Sequence, residues 1–182
     1  ALRLSTMLMV CRHDDGRVES AESSSPPRPA SVKPNPEPRM PLVNKSVLVP
    51  YGASRMFELV ERVEDYPLFL PWCGGAQIHE HTEDVMVATL RIDYLGLRQS
   101  FTTENRHVRD QSISMTLRDG PFSKLDGQWV FAPLRADACK IEFSLDYVFA
   151  GALLSRVLSP VFDQIAGSFV DAFVRRAETL YG

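Results

Sequence analysis

The sequence predicts an α+β domain: a curved antiparallel sheet of about six to seven strands wrapped around one long C-terminal helix, with two short helices after the first strand. Three observations predict it. Apolar residues recur every three or four positions through residues 152–182, and a period of two runs through residues 74–149. Before both stand one β-branched strand and a short stretch of helical period.

The terminal helix is the strongest element. Leu154, Val157, Leu158, Val161, Phe162, Ile165, Phe169, Ala172, Phe173, Ala177 and Leu180 fall on one broad face. Arg175 and Arg176 lie near its end, where cations suit the helix dipole. Pro160 has no N–H, so it marks either a kink or a fresh start. From Pro160 to Leu180 the rise is roughly 31 Å, enough to cross a small sheet.

The chain begins differently. Residues 1–39 hold six of the thirteen prolines beside Ser23, Ser24 and Ser25, a composition that cannot offset its ordering entropy. This stretch reads as a disordered tail or an upstream extension, with Met40 a natural start and residues 40–182 the folded domain. Residues 2–10 are faintly hydrophobic, but Ser5 and Thr6 break the run and no small-residue cleavage site follows, so a secretory leader is disfavoured.

Residues 42–49 (LVNKSVLV) read as a strand stopped by Pro50. Ala53, Met56, Phe57, Leu59, Val60 and Val63 then fit a short helix. Pro67 and Pro71 bracket an apolar turn carrying Tyr66, Leu68, Phe69, Leu70 and Trp72, either a plug for the core or the lid of a pocket. Met86, Ala88, Leu90, Ile92 and Tyr94 share one strand face; Phe101, Thr103 and Asn105 form the next alternation, then Ile113, Met115 and Leu117. Asp119-Gly120-Pro121 is a turn. Trp129 and Phe131 share a face, as do Ile141, Phe143, Leu145, Tyr147 and Phe149. Such a run of short strands is an antiparallel meander with one apolar face.

Totals exclude several classes. A net charge of −3 does not suit a generic polyanion binder, and DNA is not expected as a partner. Cys11, Cys73 and Cys139 show no metal or disulfide spacing, which fits a reduced cytoplasmic compartment. No run of eighteen apolar residues occurs. There is no GxSxG elbow, P-loop or GxGxxG, and Cys73 has no adjacent base, so no catalytic residue and no enzyme is predicted. His79 and His81 stand two apart and are expected on one solvated strand face; two imidazoles lack further ligands at any readable position, so no metal is predicted. Arg91, Arg98, Arg106, Arg109 and Arg118 could gather into a patch, but Asp93, Glu104, Asp110 and Asp119 are interleaved with them and predict a mutually paired face.

Four separated motifs carry a resemblance: residues 66–73 (YPLFLPWC), 101–105 (FTTEN), 119–122 (DGPF) with 125–131 (LDGQWVF), and 172–177 (AFVRRA). In that order they resemble the START/Bet v 1-like helix-grip superfamily, also described as polyketide cyclase-like. Within it they look like the branch holding coenzyme Q-binding START-domain proteins and the ribosome-association toxins, RatA. The resemblance covers residues 40–182. It implies lipid binding in a hydrophobic cavity between sheet and helix, with ubiquinone or another prenylquinone as guest in support of cellular respiration. It also implies, as the alternative, binding of the large ribosomal subunit and a block of subunit association. No cofactor is required in either case. A cytoplasmic protein is expected, with room for transient contact at the inner membrane.

A curved sheet on a single helix leaves space at one end unless large side chains fill it. The expected cavity wall is Tyr66, Phe69, Leu70, Trp72, Leu90, Ile92, Tyr94, Phe101, Thr103, Met115, Leu117, Trp129, Phe131, Phe143, Leu145, Ile165, Phe169 and Phe173. Tyr94, Thr103 and Asn105 are the groups expected to orient a polar ring.

Overall fold

In the computed structural model, residues 42–182 are described; the expectations for the tail lie outside them. The elements run β1 (Leu42–Val49), α1 (Ala53–Glu61), a 3-10 turn (Val63–Leu68), β2 (Cys73–His81), β3 (Val85–Tyr94), β4 (Leu97–Val108), β5 (Ser112–Asp119), β6 (Phe122–Arg135), β7 (Ala138–Phe149) and α2 (Ala152–Tyr181). The α+β class, the antiparallel meander and the terminal helix are as predicted. Of the two short helices expected after β1, the second is the 3-10 turn, because Pro67 inside it limits helical bonding.

The seven strands form one sheet in the order β1-β7-β6-β5-β4-β3-β2, every neighbouring pair antiparallel. Only β1 departs from sequence order, crossing to pair with β7. Register shifts interrupt β2–β3, β4–β5 and β6–β7, and such bulges bend strands and raise local twist. Curvature of this kind brings the apolar face around α2.

That face alternates strictly. On β7, Cys139, Ile141, Phe143, Leu145, Tyr147 and Phe149 are all buried at every second position. On α2, Phe162, Ile165, Ala166, Phe169, Val170, Phe173 and Ala177 are buried at helical spacing. By length and composition α2 could cross a bilayer, which the simple count of apolar runs did not suggest. Here that apolar face packs against the sheet. Pro160 lies within the continuous helix and is exposed. The carbonyl it cannot serve, that of Arg156, belongs to an exposed residue too, so water can satisfy it.

Two aromatic groups lock α2 in place. Near its C-terminal half, Trp129 packs on Phe143, Phe173 and Phe169 at centroid separations of 4.5, 5.2 and 5.6 Å, and Trp72 reaches Phe169 at 5.6 Å. Nearer its N-terminus, Phe162 meets Tyr147 at 4.5 Å and Phe122 at 5.1 Å, with Phe149 stacked on Phe122 at 4.7 Å. Tilted and edge-on ring pairs of this kind add about 0.5–1.5 kcal/mol each beyond burial. Tyr147 also donates a hydrogen bond from its hydroxyl to Asp163 on the helix; burial and that carboxylate push its pKa well above the usual phenol range.

One turn carries strain. The two-residue connection between β3 and β4 places Leu95 at φ 51° and Gly96 at φ 80°. Glycine accepts that conformation, while leucine pays a steric penalty there and is 74% exposed as well. Leu95→Asn is expected to raise unfolding free energy by about 1 kcal/mol, because asparagine adopts left-handed turns readily. A urea denaturation midpoint equal to or below wild type would contradict this account of the turn.

Candidate functional site

Between the two aromatic groups the core is not filled. The small side chains sit there: Ala166 on α2, Ala88 on β3, and Thr103, which pairs with Ala88 from β4. Gly127 faces Met115 across the β5–β6 pair, and a Cβ at that glycine would collide with the Met115 methyl. Met115 therefore lies over Gly127 and forms part of the wall. The result is a recess between sheet and helix with an almost wholly apolar lining. Space open to the centres of water-sized molecules is only ≈ 60 Å³, whereas the envelope of the whole recess, its mouth included, is ≈ 780 Å³. An enclosed cavity needs roughly 150 Å³ to hold benzene. The recess is thus a narrow slot in this conformation.

Of the eighteen residues expected to line a cavity, the structure brings ten to this slot: Tyr66, Trp72, Leu90, Phe101, Thr103, Met115, Phe143, Leu145, Ile165 and Phe169. The other eight lie elsewhere. Trp129, Phe131, Phe173, Leu70 and Ile92 are fully packed core, filling the ends of the sheet–helix layer instead of its middle. Phe69 is half-buried under the Arg176 guanidinium, 5.6 Å from its ring centroid. Leu117 is half-buried toward the edge of β5, and Tyr94 lies near the β3–β4 turn, where its hydroxyl accepts a 3.3 Å hydrogen bond from Gln164 Nε2. Alternation identifies which face a residue occupies, but not which end of that face stays open.

Residues missed by the alternation argument lie mainly at one end. Val60, Glu61 and Val63 come from the end of α1 and the 3-10 turn; Met86, Ile113 and Leu125 complete the sheet wall; Phe162 and Ala166 complete the helix side. Asn105, expected only as a ring-orienting group, also lines the slot, together with His107. Along β4 the inward positions run Phe101, Thr103, Asn105, His107, all buried, so the stripe turns from apolar to polar as it approaches α1. That gradient was readable; its meeting with Glu61 was not.

Polar groups in the slot are unevenly satisfied. Tyr66 donates a 2.6 Å hydrogen bond from its buried hydroxyl to the Val60 carbonyl, and burial raises its pKa far above the phenol range. Trp72 Nε1, Asn105 Oδ1 and His107 Nδ1 are buried without a hydrogen-bond partner. Desolvation pushes the His107 imidazole below its usual range, while Glu61 Oε1, 3.2 Å from Nδ1, pulls the other way. Each unpaired polar atom costs on the order of 1–3 kcal/mol. Cys73 is buried with its thiol pKa raised by desolvation, the opposite of an activated nucleophile.

Two surface expectations also resolve. His79 and His81 do not share a face: the bulge between Ile78 and Glu80 inserts a residue, so His79 reaches Thr89 Oγ1 at 2.7 Å while His81 turns toward Glu61. Interleaved carboxylates pair three of the five arginines: Arg106 and Arg118 both bind the buried Glu104, and Arg98 Nε lies 3.4 Å from Asp93 Oδ2, whereas Arg91 and Arg109 form no ion pair among the described residues.

The Tyr66 and Tyr94 hydroxyls should differ sharply in what they contribute. Tyr66→Phe strips a buried carbonyl of its partner and is expected to cost about 1–3 kcal/mol in urea denaturation. Tyr94→Phe, at an exposed bond, should stay within about 0.5 kcal/mol. Equal losses would show that burial of the Tyr66 bond is not what matters.

Comparison with known proteins agrees with this geometry. Residues 49–174 match the family described as "Polyketide cyclase / dehydrase and lipid transport". The ribosome association toxin RatA of Escherichia coli (strain K12) is 44% identical over 142 residues, 78% of this chain and 90% of that one. "Coenzyme Q-binding protein COQ10 homolog B, mitochondrial" of Xenopus laevis is 25% identical over 143 residues, 76% of this chain and 59% of its own length. Among solved structures, the Zhui aromatase/cyclase from a Streptomyces species superposes with a TM-score of 0.68 at 20% identity, over 76% of this chain and 94% of that one. That likeness is one of fold. A seven-stranded curved sheet gripping one terminal helix, matched over most of its length by these relatives, places the chain in the polyketide cyclase/START-like family, in the branch of the RatA and coenzyme Q-binding START-domain proteins.

Proposed function

We propose that the protein buries a hydrophobic small molecule with a polar head, of the prenylquinone class, in the slot between sheet and α2. The observation that carries this is a buried donor left without a partner in an otherwise apolar wall, Trp72 Nε1. A guest with carbonyl oxygens and an apolar tail suits such a wall, since the indole N–H can donate to a carbonyl while the tail meets only carbon. Similarity to a coenzyme Q-binding protein supports the same class.

Size sets a condition. Pockets for such ligands measure roughly 300–1,000 Å³, so the guest enters only if the slot widens. The first two turns of α2, ahead of the Phe162 group, are the least packed: Leu153 and Val157 are 79% and 61% exposed, and Pro160 removes a helical bond beyond them. Those side chains, with Leu95 on the turn after Tyr94, would also give the opened protein an apolar rim for brief contact with a membrane from the cytoplasmic side. Energetically the guest is sufficient. One five-carbon isoprenoid unit gains roughly 4 kcal/mol on burial. Two units with a ring gain more than about 8 kcal/mol, so micromolar binding, about 8 kcal/mol net, is reached where association costs lie near the low end of about 4–15 kcal/mol.

Titration with a short-chain ubiquinone should quench tryptophan fluorescence to saturation with Kd at or below roughly tens of micromolar, because Trp72 lines the slot. Ala166→Leu, which fills the gap between the aromatic groups, should abolish quenching while leaving the far-UV circular dichroism unchanged. Absence of saturable quenching in wild type overturns the proposal.

A second reading rests on the 44% identity to RatA, a ribosome association toxin by name. In this reading the outer surface binds the large ribosomal subunit. The wild-type chain should then co-sediment with large subunits at low salt and release as salt rises. Arg98→Glu with Arg109→Glu should weaken the association; both side chains are exposed, and neither is tied to the buried Glu104. Free protein at the top of the low-salt gradient excludes it.

A further inference from the structure

At the polar end of the slot, three side chains from three elements converge. Glu61 is the last residue of α1, His81 the last of β2, and His107 lies near the end of β4. One ligand atom from each falls within 4.8 Å of the other two. Glu61 Oε1 stands 3.2 Å from His107 Nδ1 and 3.7 Å from His81 Nε2. His107 is the informative member. Its side chain is only 2% exposed, and Nδ1 faces Glu61 Oε1 at 3.2 Å without a well-formed hydrogen bond.

We propose that Glu61, His81 and His107 form a binding site for a divalent cation of the zinc class. Two neutral imidazoles and one carboxylate are a donor set of intermediate softness. It suits Zn²⁺, Co²⁺, Ni²⁺ or Fe²⁺ better than Mg²⁺ or Ca²⁺, which prefer all-oxygen shells. Distances agree. Metal–ligand bonds of about 2.0–2.2 Å set tetrahedral donors about 3.4 Å apart, and the two contacts to Glu61, 3.2 and 3.7 Å, bracket that value. His81 is the side chain that must close the third edge. Its side chain is 47% exposed, so a swing of about 1 Å meets little packing. The metal would give the His107 Nδ1 lone pair its partner and neutralise Glu61 at the helix end.

Three protein ligands leave a position open, and its direction matters. Glu61 and His107 line the slot and the half-exposed His81 closes the cluster at its rim, so a fourth donor can reach the site from the slot. An oxygen donor there, water or a guest's carbonyl, completes the shell. The bulge at Ile78–Glu80 builds the site, since it turns His81 inward while His79 remains on the outer face with Thr89. The site stands whether or not a prenylquinone is the guest.

Cobalt is the probe. Untagged full-length protein, stripped with chelator, is titrated with Co²⁺ and followed by visible absorption, with Zn²⁺ as competitor. The expected result is an intense tetrahedral or five-coordinate spectrum saturating at equimolar cobalt and abolished by zinc. A zinc excess of about a hundredfold over Kd should raise Tm by roughly 5–10 °C. His81→Ala, at a half-exposed position, should keep the metal-free Tm of wild type. Its cobalt affinity should fall more than about 100-fold, since losing an outer-shell partner alone costs roughly 10–100-fold. Glu61→Gln should behave alike. A wild-type spectrum that stays that of the aqueous ion overturns the proposal. So does a His81→Ala variant that binds cobalt within about tenfold of wild type.

Discussion

The grip of the sheet on α2 is the constraint from which the rest follows. Two aromatic groups hold the helix, one around Phe162 and one around Phe169 and Phe173. Each is well packed, and each fixes the distance between helix and sheet. Between them the helix offers only Ile165 and Ala166, and the sheet offers Ala88 and Thr103. Because the aromatic pillars hold the layers apart, those small residues cannot collapse the gap. The slot is therefore a consequence of unequal side-chain volumes on two faces that are otherwise regular.

The chemistry at the slot's end has a similar origin. α1 follows β1 immediately and delivers Glu61 to the mouth of the sheet, where β2 and β4 terminate. A single-residue bulge in β2 decides that His81 and not His79 faces it. A one-residue change of register would exchange the two histidines and dissolve the cluster. Polar atoms left unpaired beside so much hydrocarbon are costly to the fold.

The outer surface works by a different balance. Glu104 is buried on the side away from the core and is covered by Arg106 and Arg118, so two cations there are committed to one anion. Arg98 and Asp93 are paired more loosely and in solvent, where such bridges contribute little. Any partner reading charge on this face meets partly neutralised arginines. The interior and the surface are therefore held together by separate balances, packing in the one and paired charge on the other.

Period and punctuation in the sequence determined the class, the strand count, the terminal helix and the apolar face of each element. The reason is local: a side chain's face follows from its position along a strand or helix. Phe101, Phe143 and Phe169 were legible on that basis, and Tyr66 and Trp72 from the apolar turn between two prolines. Trp129, Phe131 and Phe173 looked equivalent, yet they fill the ends of the layer. Only the tertiary structure decided which stretch of the apolar face stays open, because that depends on side-chain volumes meeting across the gap from elements far apart in sequence. The same holds for Glu61, His81 and His107, whose encounter rests on a bulge and on where α1 stops, neither of which leaves a periodic trace.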